Sequence, residues 1–237
     1  MIEVTALASG STGNCYHVTD GKTRLLLECG IPFKRIQQKL NFELSGVAGC
    51  LVSHEHKDHC KAVRDVLRAG IDVYLSLGTY KAINLDDMLI NHRIFTMESK
   101  QQLSIGTWTI LPFETQHDAA DPLGFLLVNQ EGEKLIFATD TYYVRYRFKG
   151  LNYIMVECNY AADILQANVD AGRVSVSLKN RLLTSHFSLE NVKEFLKAND
   201  LSRVQEIWLI HLSEGNSDAE RFKREIQELT GKMVIIP

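Results

Sequence analysis

The order of apolar runs along this chain predicts an α+β fold in which two packed sheets carry helices on their outer faces. Short alternating runs parted by glycine-rich turns fill the start, helical patterns then interleave with strands, and several strands end on His or Asp. "IEVTALA", "CYHVT" and "TRLLLECG" read as strands separated by the turn strings "SGSTGN" and "DGK". "PFKRIQQKL" reads as a helix with Pro32 in its first turn, where a missing N–H is harmless. "GVAGCLVS" is the next strand, "HCKAVRDVLRAG" a helix ended by Gly70, "DVYLS" a strand and "GTYKAINLDD" a helix. "QQLSI", "WTILPFE", "GFLLVNQ" and "KLIFATD" follow as strands. Near the end come the strand "VQEIWLIHLS", a helix over 217–229 and the strand "KMVII". No repeat, low-complexity block or linker interrupts this order, so one domain over 1–237 is expected.

The 237 residues can bury a sizeable core, and 45% hydrophobic with 23% charged residues is ordinary for a soluble chain. No apolar stretch approaches the roughly 20 residues of a membrane helix. "MIEVTALASG" lacks the basic start and apolar segment of a secretory signal, which predicts a cytoplasmic protein with no membrane partner. Cys15, Cys29, Cys50, Cys60 and Cys158 show no CxxC spacing and read as reduced, buried side chains. A formal net charge of −3 shows no basic excess of the kind that grips long nucleic acid.

The stretch "LVSHEHKDHC" carries the chemistry. His54 and His56 are two apart, so on extended backbone their side chains point the same way. Asp58 and His59 follow as the chain turns into a helix and can face back toward them. Three other apolar strands end at His117, Asp140 and His211. Leaving the four groups of the HxHxDH run unpaired beside a strand would cost several kcal/mol. Imidazole and carboxylate together suit Zn²⁺, and also Mn²⁺ or Fe.

"SHEHKDH" resembles the signature of the metallo-β-lactamase fold. "ASGSTGN", "LLLECGI", "QHDAADPLGF", "FATDT", "VECNY", "SLKNRLLTSHFSLENV" and "WLIHLSEGNSD" are similar to its YycJ/WalJ-type branch, so the resemblance covers nearly the whole chain. It implies a four-layer αββα sandwich with two divalent metal ions, Zn first, at one edge. By the same resemblance His54, His56 and His117 hold one ion, Asp58, His59 and His211 the other, and Asp140 bridges them. The chain departs from the pattern in having Glu28 where relatives commonly have Asp, "SHFS" for a Gly-His-Leu-Ser-like string, and "EGNS" for a paired asparagine. None of these removes a presumed ligand. Two divalent ions against two carboxylates leave a site charge of roughly +2, which favours an anion.

The expected activity is therefore hydrolysis of a nucleotide phosphodiester, with Asp58, Asp140 and His186 catalytic. His186 opens "SHFSLENVKEFL", where Ser188 can cap a helix, and serves as a phosphate contact or proton donor, or else only packs against the sheet. Ser11, Asn14, Tyr142, Asn159 and Ser185 are candidate substrate contacts, although "SGSTGN" also reads as a plain glycine turn. "TYYVRYRFKG" interleaves aromatics with cations, which can stack a base and hold a phosphate. Inward packing, or packing against a second subunit, is the competing and preferred reading of that segment.

The favoured substrate is a small cyclic mononucleotide, as for phage-type anti-Pycsar-like phosphodiesterases, which would place the protein in the host cytoplasm if phage-encoded. The alternatives are a 5′–3′ exonuclease taking a DNA end, and a thioester or lactone hydrolase. A non-catalytic protein with a decayed site is disfavoured by the full ligand set. A homodimer is a further expectation from the resemblance.

Overall fold

The computed structural model describes residues 1–85 and 91–237. Asp86 and Asp87, at the end of the helix expected over 78–87, lie outside the described residues. By its contacts the chain divides into two compact units, Met1–Glu114 with Ala119–Glu133, and Thr115–Asp118 with Lys134–Pro237. The described strands fall into two sheets. Among the described residues no helix is long and apolar enough to cross a membrane.

In the first unit, β1 (Glu3–Ala8), β2 (Cys15–Thr19) and β3 (Arg24–Leu27) form an antiparallel meander. Helix α1 (Phe33–Lys39) then crosses over to β4 (Val47–Leu51), which pairs parallel to β3 with Leu26 opposite Cys50. Two short helices, α2 (Lys57–Cys60) and α3 (Val63–Arg68), lead to β5 (Val73–Ser76). Helix α4 (Leu77–Ile83) precedes β6 (Ile94–Met97), and β4, β5 and β6 pair in parallel. Ser76 starts α4 by accepting a hydrogen bond from the Thr79 N–H at 3.0 Å.

Helix α3 turns Val63, Val66 and Leu67 inward, and with Ile36 of α1 they pack against Leu26, Cys50, Val73 and Leu75 of the sheet. Burying each such side chain stabilises the unit by about 1.5–3 kcal/mol. The same unit contains the antiparallel strands β7 (Leu103–Ile105), β8 (Trp108–Glu114) and β9 (Leu123–Val128). All five cysteines are free and buried.

In the second unit, β10 (Lys134–Ala138), β11 (Tyr153–Glu157), β12 (Glu206–Ile210) and β13 (Met233–Ile235) all run parallel. Between β11 and β12 lie α5 (Ala162–Asp170), α6 (Val176–Ser185) and α7 (Leu189–Lys197), and α8 (Ala219–Thr230) precedes β13. Ser188 caps α7 as expected, accepting from the Asn191 N–H at 3.1 Å. Parallel pairing has a consequence for function: every strand in the ladder delivers its carboxyl end to the same edge.

Several elements escaped the sequence reading. Strand β11 is buried at all five positions, so it shows no alternation to mark it as a strand. The strand β6 is only four residues long, and α6 buries one residue, Ser185, so neither carries a strong periodic signal. The expected helix over 59–70 is broken into α2 and α3.

One glycine fixes how the histidine-rich stretch is held. A Cβ at Gly30 would lie 1.7 Å from the Asp58 carbonyl oxygen. At this crossing the Asn14 N–H donates to the Asp58 carbonyl and the Cys29 N–H to the His59 carbonyl, both at 2.8 Å. Gly30→Ala is therefore expected to push the loop after β3 and the start of α2 apart, by backbone rather than side-chain movement. Overpacking of this kind costs about 1–3 kcal/mol or more. Accelerated amide exchange at Asn14 and Cys29, with a lowered melting temperature, is the expected readout; wild-type protection at both amides would contradict it.

Candidate metal centre

In the first unit the chain leaves β4 at Leu51 and at once presents His54, His56, Asp58 and His59. The His54 ring centroid lies 4.7 Å from that of His56 and 4.2 Å from that of His59. His59 Nε2 is 3.4 Å from Asp58 Oδ2, with the imidazole fully buried and the carboxylate partly exposed. The four residues of the HxHxDH run are thus gathered. Behind them stands Glu28, whose Oε1 accepts from the Ser53 N–H at 3.1 Å and whose Oε2 lies 3.6 Å from His59 Nδ1. Burial pushes the Glu28 carboxyl up, against the downward pull of His59 and Ser53, and the rise prevails.

The second unit gathers a second set. Strands β10, β11 and β12 exit at one edge, with Asp140 just past β10, Glu157 as the last residue of β11 and His211 directly after β12. Asp140, Glu157, His186 and His211 each offer a ligand-type atom, and these atoms all lie within 4.8 Å of one another. His117 joins them, with Nε2 at 3.4 Å from Asp140 Oδ2. Its Nδ1–H donates to the Ser185 carbonyl at 2.8 Å, which fixes the tautomer and leaves Nε2 with the lone pair. Burial depresses the His117 pKa despite the nearby Asp140 carboxylate.

Glu157 is the hub of this set and was missed in the sequence. It is completely buried, and its Oε1 lies 2.6 Å from His186 Nδ1 and 3.3 Å from His211 Nδ1. Its Oε2 accepts from the Thr141 N–H at 3.0 Å and the Phe187 N–H at 3.1 Å. Burial alone would raise the Glu157 pKa, yet His186 and its hydrogen bonds hold it below the usual carboxylate range. Burial likewise opposes a charge on His186, and Glu157 outweighs it and raises the imidazole pKa. The signal that could have found Glu157 is the one that found Asp140: a carboxylate closing an apolar run, here "YIMVE".

Backbone strain marks the same strand ends. Glu28, Asp140 and His211 adopt φ of 66°, 41° and 53°, the left-handed region that non-glycine residues seldom occupy. Such strain persists only where the surroundings over-determine it, and it clusters at functional sites.

The candidate substrate contacts separate by exposure. Ser11 and Tyr142 are exposed. Asn14 is buried, and its side chain closes the "SGSTGN" turn by accepting from the Gly10 N–H at 3.0 Å and donating to the Asp58 carbonyl at 3.3 Å. Asn159 is buried with its amide nitrogen 3.1 Å from both Nδ1 and the carbonyl oxygen of His211. Ser185 is buried and lends its carbonyl to His117. Of these three residues, Asn159 meets the His211 ring with its side chain, Ser185 meets the His117 ring with its backbone carbonyl, and Asn14 reaches the backbone of Asp58.

Imidazoles and carboxylates with fixed tautomers are the donor set that divalent Zn, Mn or Fe takes. Two carboxylates buried within one cluster also need positive charge beside them. The residues present fit divalent metal ions.

A family profile described as a beta-lactamase superfamily domain matches residues 23–212. The exodeoxyribonuclease YycJ of Bacillus anthracis is 28% identical, over 96% of this chain and 89% of its own length. The exodeoxyribonuclease WalJ of Streptococcus pneumoniae is 30% identical, over 90% of this chain and 82% of its own. The metallo-β-lactamase fold protein YhfI from Bacillus subtilis superposes with a TM-score of 0.77 at 16% identity, covering 100% of this chain and 96% of that one. With most of its length matched by the family profile and by YycJ and WalJ, and with the fold of YhfI, this chain belongs to the metallo-β-lactamase superfamily.

Proposed function

We propose that the protein is a metal-dependent phosphodiesterase that hydrolyses a nucleotide phosphodiester. The observation that carries this reading is the buried imidazole–carboxylate cluster of Asp140, Glu157, His186 and His211, together with the HxHxDH run. In this proposal His54, His56 and His117 hold one ion, Asp58, His59 and His211 hold the other, and Asp140 is shared. Zn is the first choice of metal for so many imidazoles. Bound ions of this kind supply positive charge to the phosphoryl oxygens and lower the pKa of water.

The chain's own groups do the rest. Asp140, with His117 Nε2 at 3.4 Å and His211 Nε2 at 3.6 Å, orients the attacking water. His186 donates its Nδ1–H to Glu157, so its Nε2 is the nitrogen left to meet a phosphate or to protonate the departing oxygen. Ser11 and Tyr142 are exposed and serve as substrate contacts. The family profile spans residues of both compact units, which supports reading 1–237 as one domain. A cytoplasmic location and a homodimer complete the proposal, the latter supported by the exposed Val176, Leu178 and Leu183 of α6.

Two substrates have specific support. The exodeoxyribonuclease names of YycJ and WalJ favour a DNA end. The net charge of −3, with no basic excess, favours a small cyclic mononucleotide. Zn- or Mn-loaded protein given cyclic mononucleotides, cyclic dinucleotides and single-stranded DNA is expected to cleave one class. A salt titration adds a second criterion, because a polyanion held by 6–10 phosphate contacts loses about 10³–10⁵ in affinity between about 50 and 200 mM salt. A flat profile indicates the mononucleotide. Turnover of S-lactoylglutathione without bis-p-nitrophenyl phosphate would replace this reading by a thioester hydrolase.

A further inference from the structure

The chain after Asp140 runs through residues 141–149 without regular secondary structure and walls a cavity of about 260 Å³. Tyr143, Arg145, Tyr146 and Arg147 form one wall, and Phe187 with Phe195 of the α7 segment forms another. All of this lining belongs to the second unit. The segment splits the two readings made of it from sequence: Val144 and Phe148 pack inward, whereas Tyr143 stays 55% exposed.

The cavity is tied to the ligand-type residues on both sides. Tyr143 is three residues past Asp140, at most about 11 Å of extended chain. Phe187 follows His186 directly and donates its N–H to Glu157. Asn191, also in the lining, donates its side-chain amide to the Tyr142 carbonyl at 3.1 Å, which fastens the segment to α7.

Its chemistry is aromatic and cationic. Arg145 donates to Gln116 Oε1 at 2.8 Å, while the Arg147 guanidinium makes no hydrogen bond or ion pair among the described residues. The carboxylate in the lining, Glu194, is paired with Lys197 at 2.9 Å. A volume just under the usual range of about 300–1,000 Å³ for small-molecule pockets suits one nucleotide unit. Aromatic faces take a base of any sequence, and an unpaired guanidinium takes a phosphate in bidentate fashion.

We propose that this cavity is a nucleotide subsite in which Tyr143 stacks the base beside the cleaved phosphodiester and Arg147 holds a phosphate. This rests on the phosphodiesterase reading for its place in the reaction, but binding can be measured without turnover. The experiment uses the full chain in EDTA, titrated calorimetrically with 2′-deoxyadenosine 5′-monophosphate, 2′-deoxyadenosine and inorganic phosphate.

The monophosphate is expected to bind more tightly than either fragment. Tyr143→Ala should weaken it by about tenfold or more, and Tyr143→Phe should restore it. Arg147→Ala should weaken the monophosphate while leaving deoxyadenosine unchanged. Both side chains are exposed, so the variants are expected to melt with the wild type. Wild-type affinity in Tyr143→Ala and Arg147→Ala, no binding of the monophosphate, or binding matched by inorganic phosphate alone would each overturn the subsite. Turnover of bis-p-nitrophenyl phosphate is scored separately on metal-loaded protein: its loss with Tyr143-dependent binding intact removes the phosphodiesterase reading and keeps the subsite.

Discussion

Asp58→Ala is expected to lower phosphodiester turnover on the order of 10³-fold, the equivalent of about 4 kcal/mol of transition-state stabilisation. Asp58 is the cleanest of the proposed ligands to remove, because its carboxylate is 27% exposed while its backbone carbonyl keeps the bond from the Asn14 N–H. The fold loses one close neighbour, the buried His59 Nε2 at 3.4 Å from this partly exposed carboxylate, so the stability of the metal-free protein should fall by no more than about 1 kcal/mol. Steady-state kinetics with bis-p-nitrophenyl phosphate and elemental analysis after Zn loading check the two halves of the claim. Stoichiometry should fall by one ion. Wild-type rate and metal content in this variant would remove Asp58 from the ligand set.

The second large effect belongs to Glu157, and it acts on stability as well as rate. Each of its oxygens accepts two hydrogen bonds or close N–H approaches, from two imidazoles on one side and two backbone N–H groups on the other. Glu157→Ala leaves all four donors without an acceptor in a fully buried place. Breaking a buried charged pair in this way costs about 3–5 kcal/mol. For a chain of this size that is a fall of roughly 6–20 °C in melting temperature.

Glu157→Gln tests the reason. Its amide would turn an NH₂ group toward either the imidazoles or the backbone donors, so the substitution should still cost about 1–3 kcal/mol. Turnover should drop about 10–100-fold, the usual consequence of losing a group that orients metal ligands. A Gln variant with wild-type stability and rate would mean that Glu157 is merely tolerated there.

The two experiments also separate roles that a rate alone would merge. Asp58→Ala removes a ligand-type group and spares the fold. Glu157→Ala removes a group that positions His186 and His211 and weakens the fold, with the melt measured in the absence of metal.

Some of this was legible in the residues and some was not. The run from His54 to His59 needs only local geometry, because spacing along an extended chain and into a helix decides which side chains share a face. The helix cap at Ser188 and most strands of the first unit were readable for the same reason. Glu157 was not singled out, since a fully buried strand such as β11 has no alternation to mark it. Asn14, Asn159 and Ser185 are candidate substrate contacts by their neighbours in sequence, and only the tertiary structure shows that all three are buried with hydrogen-bond partners of their own.

By itself, then, the sequence determined the superfamily, the metal chemistry and the HxHxDH run, because those rest on short-range spacing and on residue types too polar to bury without a purpose. The tertiary structure alone decided that Asp140, Glu157 and His211 leave neighbouring parallel strands at one edge, and that His186 leans on Glu157. It also decided that the aromatic and basic segment after Asp140 encloses a cavity. The physical reason is that strand pairing joins Leu135 to Tyr153 and Tyr153 to the distant Glu206 through backbone hydrogen bonds, which carry no local signature in the side chains they bring together.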